Sequence, residues 1–394
     1  MSGTAAHERR RGTLAPLNAA GFVTAFGAHS IAAGLGAESG NLGLSLLTFG
    51  VYLAVYDIAE VLLKPVFGSL SDRIGPKPVI VGGLIAFAVV SILGSLGTAP
   101  ILLVLVRLGQ GAAASAFSPA ASSAVARLAG PASAGRFFGR YGSWKSLGYA
   151  IGPLIGAGLI VAGGFPALFL TLAALALGTA AWVTASLKSL PPLPRPRYTL
   201  IDVARQITGR GFLVPVVALA VAAGTLGVAV GFLPLIGTRL HMGLWGSIGS
   251  VTVLAISSAV IQRFAGAYRD STHGRPRLVI LVALTIMTLA ILLFALSPSP
   301  ITIYVAAGIL GAGIGATTTL AFAELAANTP SERMGRTMGT AELGRELGDA
   351  GGPLLVGAVA AAASVAVGLG ALALVTAMAA AFVGIAYPRQ GQTR

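Results

Sequence analysis

The sequence predicts an all-α integral membrane protein with twelve transmembrane helices. Three observations lead to this fold class. The 394 residues are 55% hydrophobic and only 10% charged, whereas soluble domains are about 25% charged. Apolar runs of about 20 residues, the length needed to cross a bilayer, recur along the whole chain. The basic residues cluster on one side of these runs.

Twelve apolar segments are predicted to be transmembrane helices, numbered here in chain order. The first six are 13–35, 43–67, 78–96, 100–122, 138–162 and 166–187. The last six are 211–236, 244–267, 277–296, 300–325, 337–362 and 366–387. Because eleven more spans follow the first, we interpret the first as a retained helix rather than a cleaved signal peptide.

The basic residues predict the orientation in the membrane. Of 26 Lys and Arg residues, 24 lie at or near one face; Arg239 falls in a loop on the opposite side and Arg107 in the outer half of a span. The positive-inside rule makes the basic face cytoplasmic, with both termini inside, in a cell (inner) membrane. The net charge of +14 is therefore explained by topology, and no nucleic-acid partner is predicted.

The sequence indicates neither an enzyme nor a cofactor site. It has no Cys, and its four His show no metal-ligand spacing. We find no nucleophile–base pair, phosphate-binding loop or metal-ligand set. We therefore predict a protein without catalytic activity, cofactor or metal.

The second half of the chain repeats the first at a shift of 200 residues. The matching pairs include Gly111 with Gly311, Gly139 with Gly339, Lys145 with Arg345, Gly148 with Gly348, and Gly152-Pro153 with Gly352-Pro353. The repeat predicts two homologous six-helix bundles, 1–188 and 211–394, related by an axis along the membrane normal. Residues 189–210 are predicted to be a cytoplasmic linker, with a short interfacial helix around Leu200, Ile201, Val203 and Ile207.

The loop predicted after span 2 reads GSLSDRIGPKPVI, from Gly68 to Ile80. It resembles the cytoplasmic motif of the major facilitator superfamily at Gly68, Leu70, Asp72, Arg73, Gly75 and Lys77, with Pro76 in place of an Arg. A degenerate copy follows span 8 at Gly266, Asp270, Gly274 and Arg275. The resemblance covers essentially the whole chain. It implies the fold of this superfamily, transport by alternating access, and a gating role for both motif copies.

Span 5 carries a pattern of small residues, namely Gly139, Gly148, Gly152, Pro153 and Gly156. It resembles a motif of the proton-coupled antiporters in the same superfamily, with Ala157 replacing the final Gly. Small residues four apart let another backbone approach closely, and Pro153 predicts a kink. The resemblance, and not the geometry, implies export.

The resemblance also places spans 1, 4, 7 and 10 around a central substrate cavity. We assign to this cavity the polar residues His29, Arg107, Gln110, Thr225, Thr318 and Glu324. A buried Arg costs about 2.5–3.5 kcal/mol at a helix centre, so Arg107 should have a partner; a purely structural Arg is the alternative. Span 1 has no carboxylate, which favours neutral or anionic solutes.

Spans 2 and 11 carry most of the remaining ionisable residues, each set on one helix face. They are Asp57, Glu60 and Lys64, and Glu342, Arg345, Glu346 and Asp349. The resemblance brings these spans together. Five carboxylates would share the interface with two cations, so at least one should stay protonated. We therefore assign proton coupling to Asp57, Glu60, Arg345, Glu346 and Asp349; a static ion-pair network is the alternative.

The sequence thus predicts a monomeric transporter that exports a small organic solute in exchange for protons across a lipid bilayer. Two alternatives on the same fold stay open, namely a proton-coupled uptake symporter and a lipid translocase. A membrane receptor or scaffold would leave the duplicated gating motifs without a purpose.

Overall fold

The structure is a computed structural model, and it describes residues 14–31, 46–97, 99–192, 209–271 and 274–386. Within these ranges the chain forms twelve α-helices and no strand. The end of predicted span 1 (32–35) and the predicted interfacial helix around 200–207 lie outside the described residues.

The first six helices follow the predicted spans. They are α1 (14–31), α2 (Leu46–Ile74), α3 (Pro76–Gly94), α4 (Pro100–Ala129), and a stretch Ala134–Ser186 that breaks at Gly163 and Gly164. We number the parts before and after this break α5 and α6. Gly164 has φ 69°, a conformation that glycine adopts without steric cost, so the chain turns between two long helices without a loop.

The last six helices are equally regular. They are α7 (Arg210–Arg239), α8 (Gly243–Arg269), α9 (Pro276–Leu296), α10 (Pro300–Asn328), α11 (Met334–Ala362) and α12 (Val365–Ala386). Short 3-10 turns, Pro131–Ser133 and Ser331–Arg333, precede α5 and α11. The twelve predicted helices are confirmed in the described part of the chain, each overlapping its predicted span.

Eight of the described helices are long and apolar enough to cross a membrane: α3, α4, α6, α7, α8, α9, α10 and α12. The α11 helix is not among them, and it carries four of the ionisable residues named above.

One part of the predicted loop 68–80 is corrected by the structure. The α2 helix continues to Ile74 and α3 begins at Pro76, so the connection is Gly75 alone. Gly75 has φ 88°, which favours glycine, and proline is well suited to the first position of a helix. The motif therefore lies mostly on a rigid helix end rather than on a loop.

The chain divides into two compact units. Unit 1 comprises Met1–Leu128, Trp144–Arg195 and Pro330–Leu343, and unit 2 comprises Ala129–Ser143, Pro196–Thr329 and Gly344–Arg394. The start of α5 thus belongs to unit 2 and the start of α11 to unit 1. The division of the sequence into halves at 189–210 stays a prediction.

Unit 1 is packed through close helix crossings. In α3, Phe87 meets Phe117 of α4 edge to face, with ring centroids 6.0 Å apart. A Cβ on Gly83 would lie 3.0 Å from backbone atoms of α4. These crossings bring α4 into a position where it also contacts α2, at Gly111 and the backbone of Tyr56.

Unit 2 is organised around α10, which contacts α7, α8 and α9, while α12 packs on α9 and α7. Its core is aliphatic, with buried side chains such as Leu254, Met287, Leu310 and Leu372. The buried face of α10 extends to Ala326, close to the end of the helix. The end of α10 is therefore fixed by packing.

Candidate functional site

The Asp72 carboxylate, near the end of α2, binds the start of α11 within unit 1. Its Oδ1 accepts a 2.7 Å hydrogen bond from the N–H of Gly335, and its Oδ2 accepts a 2.9 Å bond from the N–H of Arg336. The first N–H groups of a helix have no partner inside the helix and carry partial positive charge. The contact expected from the sequence is therefore present.

Two glycines make this contact possible. A Cβ on Gly68 would lie 2.6 Å from the carbonyl oxygen of Gly335, so α2 and α11 cross at backbone distance. Asp72 lies beyond the predicted span 43–67, and burial raises the pKa of its carboxyl to about 6. The group is therefore mostly ionised at neutral pH, as its two N–H donors require.

The other residues of the first motif secure the helix ends around it. The Nζ of Lys77 donates a 2.8 Å bond to the carbonyl of Thr184, near the end of α6, where a cation is favourable. A Cβ on Gly75 would lie 2.8 Å from the carbonyl of Leu190. Arg73 is exposed.

The second motif forms the same contact within unit 2. Asp270 accepts a 2.9 Å bond from the N–H of Gly135 and a 2.7 Å bond from the N–H of Arg136, at the start of α5. A Cβ on Gly266 would collide with the carbonyl of Gly135. Arg275 is the exposed N-cap residue of α9. The glycine follows the Asp by four positions in this copy and by three in the first, and the carboxylate contact is the same in both.

Glu324 lies beside the second motif. Its Oε1 accepts a 3.1 Å bond from Nε of Arg269, which also donates to the carbonyl of Pro131. Glu324 is close to the end of α10, where the end of α8 also lies, so its partner in this structure is the residue before Asp270. Its assignment to the substrate cavity stays a prediction.

The glycines of α5 lie against α1 in unit 1. A Cβ on Gly148 would lie 2.7 Å from the carbonyl of Phe22, and a Cβ on Gly156 would lie 2.8 Å from the carbonyl of Ser30. Gly152 faces Phe26 at a looser 3.3 Å. The helix continues through Pro153. The predicted close approach of a second backbone is therefore present on this face.

Unit 2 repeats this arrangement between α11 and α7. A Cβ on Gly348 would collide with the carbonyl of Ala220, and one on Gly352 with the carbonyl of Gly224. Gly139, the first residue of the α5 motif, instead crosses α8 at Gln262. The glycines at equivalent positions of α5 and α11 therefore each allow a second helix backbone to approach closely.

Arg107 is buried against an aromatic ring of α2. Its guanidinium carbon lies 4.2 Å from the ring centroid of Tyr56, and its side chain is 3% exposed. It also interacts electrostatically with Asp57 and Glu60. A cation over a ring face is stabilised by the ring quadrupole, so the partner predicted for Arg107 is found on α2.

The other predicted cavity residues make local contacts. The Nε2 of Gln110 donates a 2.9 Å bond to Oγ of Ser91 in α3. The His29 ring meets the Tyr149 ring edge to face at 4.4 Å, and its Nδ1 lies 3.1 Å from the carbonyl of Ala25. Thr225 bonds the carbonyl one turn before it, and Thr318 is half-buried. These contacts are those of packed helices, and the substrate role of these residues stays a prediction.

A buried ionic cluster joins α2, α5 and α11 in unit 1. Nζ of Lys64 lies 3.0 Å from Oε2 of Glu60 and 3.8 Å from Oε2 of Glu342. Nζ of Lys145 lies 3.8 Å from the same Glu342 oxygen. Ser122 of α4 donates a 3.2 Å bond to Glu342 Oε1. The predicted proximity of Glu60 to span 11 is therefore found, through Lys64.

The sequence-based count of cations missed Lys145. In this unit two lysines, Lys64 and Lys145, therefore accompany two carboxylates, Glu60 and Glu342. The repeat held a signal for it, because Lys145 aligns with Arg345. In unit 2, Arg345 pairs with Glu346, and Asp349 packs against Gly227 of α7. The cluster is thus better neutralised than the sequence suggested.

Residues 17–353, with a second overlapping match at 247–393, fit the family described as Major Facilitator Superfamily. The chain belongs to this superfamily. It is therefore a multi-pass membrane protein and a secondary transporter, not an enzyme.

Curated relatives in the superfamily match part of the chain. Multidrug resistance protein MdtG of Klebsiella pneumoniae (strain 342) is 33% identical over 150 residues, which is 38% of this chain and 36% of MdtG. The protein of the same name from Escherichia coli (strain K12 / DH10B) is 32% identical over 150 residues, 38% of this chain and 37% of that protein. The matched region is thus a little over a third of these relatives.

Solved structures match nearly the whole fold. The human organic anion transporter MFSD10 (TETRAN) has a TM-score of 0.78 at 18% identity, covering 95% of this chain and 99% of that chain. The superfamily transporter FucP, in the outward conformation, has a TM-score of 0.79 at 14% identity with the same coverage. The predicted twelve-helix fold of this superfamily is confirmed.

Proposed function

We propose that the protein exports a small organic solute in exchange for protons, by alternating access. The observation that carries this proposal is the close crossing of α5 and α1, where Gly148 and Gly156 meet the backbone of α1. The residues that form it are those of the antiporter-like motif.

The two gating contacts support alternating access. A transporter of this kind must close one side of the membrane while the other is open. Asp72 and Asp270 each bind the N-terminus of a helix from the other predicted half, through bonds that a small displacement would break. We assign both contacts to closure of the cytoplasmic side, with the termini in the cytoplasm and the bundles at 1–188 and 211–394.

The substrate class follows from the relatives and the buried charges. MdtG is named a multidrug resistance protein, which supports a drug-like organic solute as cargo. Arg107 is the basic residue assigned to the predicted cavity, and span 1 carries no carboxylate. We therefore propose a neutral or anionic amphiphile, bound by a monomer in the cell membrane.

The test begins with growth inhibition across chemical classes, in cells that lack their own drug exporters, with and without the gene. A compound that the gene makes less toxic is then measured in everted and right-side-out vesicles. Export predicts accumulation in everted vesicles under an inside-acid gradient, abolished by a protonophore. Accumulation driven into right-side-out vesicles would instead identify an uptake symporter. Movement of fluorescent phospholipid between leaflets of proteoliposomes, without transport of any compound, would identify a lipid translocase.

A further inference from the structure

Four charged side chains of unit 1 are buried together around Glu342. Their exposed fractions are 0% for Lys64, 1% for Glu342, 4% for Glu60 and 9% for Lys145. Both ammonium groups lie 3.8 Å from the same oxygen, Oε2 of Glu342. One carboxylate therefore holds two cations, from α2 and from α5, on the α11 helix.

Unit 2 contains the equivalent helix crossing. A shift of 198 residues aligns α2 with α8 (68 with 266, 72 with 270), and a shift of 200 residues aligns α5 with α11. Under these shifts the counterparts of Glu60, Lys64 and Glu342 are Ser258, Gln262 and Gly142. Three of the four counterparts are thus uncharged, and the fourth is Arg345, which aligns with Lys145 and pairs with Glu346.

The α5–α8 crossing has the same contacts. Nε2 of Gln262 donates a 3.1 Å bond to Oγ of Ser258, as Lys64 does to Glu60. A Cβ on Gly142 would collide with Oε1 of Gln262, so Gln262 fills the place that Glu342 takes in unit 1. Packing of this crossing therefore does not require charge.

Burying charge is costly when packing does not need it. The desolvation of two ions often exceeds their attraction, and uncharged replacements of similar volume are often as stable or more stable. Because the α5–α8 crossing is packed without counterparts of the charges on Glu60, Lys64 and Glu342, these three charges are better explained by a change of charge during the transport cycle.

A proton on Glu342 would make that change. It would remove the negative charge that both ammonium groups share, while Lys64 would keep its 3.0 Å contact with Glu60. The two cations would then repel each other. The contact of α11 with α2 would be weakened next to the Asp72 bonds.

Other charged groups surround this site. Asp57 lies on α2 one turn before Glu60, and Arg107 of α4 interacts with both. Arg345 and Glu346 follow Glu342 on α11 and pair with each other. These groups also contribute to the charge on the same helices, and the ammonium groups of Lys64 and Lys145 each lie 3.8 Å from Oε2 of Glu342.

We propose that Glu342 is a proton-binding site that controls the α2–α11 contact. Deprotonated Glu342 holds the contact closed through Lys64 and Lys145. A proton taken up by its carboxylate releases both lysines, the contact opens, and the proton leaves to the water of the opened side. This inference rests on the proposed proton-coupled export and assigns the residue that couples it.

The experiment measures the α2–α11 contact without any substrate. Ile74, which is 48% exposed, and the exposed Ser331 are replaced by Cys and spin-labelled; the chain has no other Cys. Dipolar EPR in lipid nanodiscs then gives the open fraction at pH 8.5 and pH 6.5. With a pKa of about 6 for Asp72 in this contact, about a quarter of its carboxyl groups are protonated at pH 6.5, which changes the open-to-closed ratio by less than about 1.5-fold.

Three variants are compared in this labelled background. Glu342→Gln removes the titrating group. The triple variant Glu60→Ser, Lys64→Gln, Glu342→Gly installs the three uncharged residues found at the α5–α8 crossing of unit 2 and keeps Lys145, as unit 2 keeps Arg345. Glu332→Gln neutralises an exposed carboxylate just before α11 and is the matched control.

Acidification should raise the open-to-closed ratio of the labelled protein and of Glu332→Gln by more than about twofold, the upper limit for one proton being about tenfold per pH unit. Glu342→Gln should be more open at both pH values, and its ratio should change less than about twofold. The triple variant should be equally insensitive to pH. If Glu342→Gln fails to fold, the pH response of the triple variant tests whether Glu342 is the proton-binding site. A pH response that persists without Glu342, or none in the labelled parent, overturns the proposal. Absence of proton-driven transport alongside a normal pH response would instead reject the proposed function and leave the proton site standing.

Discussion

The N–H of Gly335 donates a 2.7 Å hydrogen bond to Asp72, 263 positions earlier in the chain. The bond ties the end of α2 to the first turn of α11, in a place where a Cβ on either glycine of the crossing would not fit. Asp270 and Gly135 are tied in the same way in unit 2, at 2.9 Å. In each crossing one carboxylate therefore binds the first N–H groups of a helix.

Replacing either carboxylate by an amide should weaken its crossing to a similar extent. Asp72→Asn and Asp270→Asn each keep one acceptor and lose one charge-assisted bond, which is worth about 1.5–3 kcal/mol. We expect more open protein and slower transport, with folding kept. The open fraction is measured by thiol labelling in the Cys-free chain. A single Cys is introduced at a position that each contact would shield from the reagent when it is closed. Unchanged labelling in both variants would show that neither contact closes the protein.

Arg107 and Tyr56 are expected to act together. Arg107→Ala should abolish transport with expression and melting temperature near the parent's, because the guanidinium serves the substrate. Arg107→Lys should be partly active, since Lys keeps the charge but lacks the planar fork. Tyr56→Phe, which keeps the ring under the cation, is the matched control and should transport normally. If Arg107→Ala transports normally or fails to fold, Arg107 is a structural residue.

The glycine crossing of α5 and α1 can be tested with two alanines. Gly148→Ala would place a methyl group 2.7 Å from the carbonyl of Phe22, and such overpacking costs about 1–3 kcal/mol. Gly158→Ala meets nothing within 4 Å and should improve the helix by up to about 1 kcal/mol. We expect a lower melting temperature and slower transport for the first variant only. Equal behaviour of the two would mean that α5 and α1 do not approach this closely in the membrane.

The helices and the gating contacts could be predicted from the sequence because their signals are local or repeated. Apolar length gave the spans, and Asp72 stands at a fixed distance from glycines that recur around Asp270. The single-residue connection at Gly75 was missed because a turn with positive φ and a loop share the same residue types.

The partners of buried side chains were harder to predict. Glu324 was assigned to the cavity because its helix lines the cavity in the superfamily, but the position of Arg269 beside it depends on how α8 and α10 pack. Lys145 was left out of the ionic cluster because the prediction for α5 was based on its glycine motif. Its pairing with Glu342 requires a contact between helices almost 200 residues apart, which no local pattern reveals.

The proton-coupling residues are tested by four single neutralisations: Asp57→Asn, Glu60→Gln, Glu346→Gln and Asp349→Asn. A coupling residue should lose pH-driven transport of the compound found in the growth panel and keep its exchange at equilibrium. An ion-pair residue should lose both, because breaking a buried pair costs about 3–5 kcal/mol.

The structure ranks these four variants. Glu60 is 4% exposed and pairs with Lys64, and Glu346 is 5% exposed and pairs with Arg345, so Glu60→Gln and Glu346→Gln should destabilise the protein most. Asp57 and Asp349 are half-buried. The variants Asp57→Asn and Asp349→Asn should therefore leave the melting temperature nearly unchanged, and they are the clearer tests of coupling. Exchange and driven transport measured side by side, with the exposed Glu332→Gln as control, separate the two roles. If all four variants lose exchange and driven transport together, the carboxylates of α2 and α11 hold the helices in place and none of these four carries the proton.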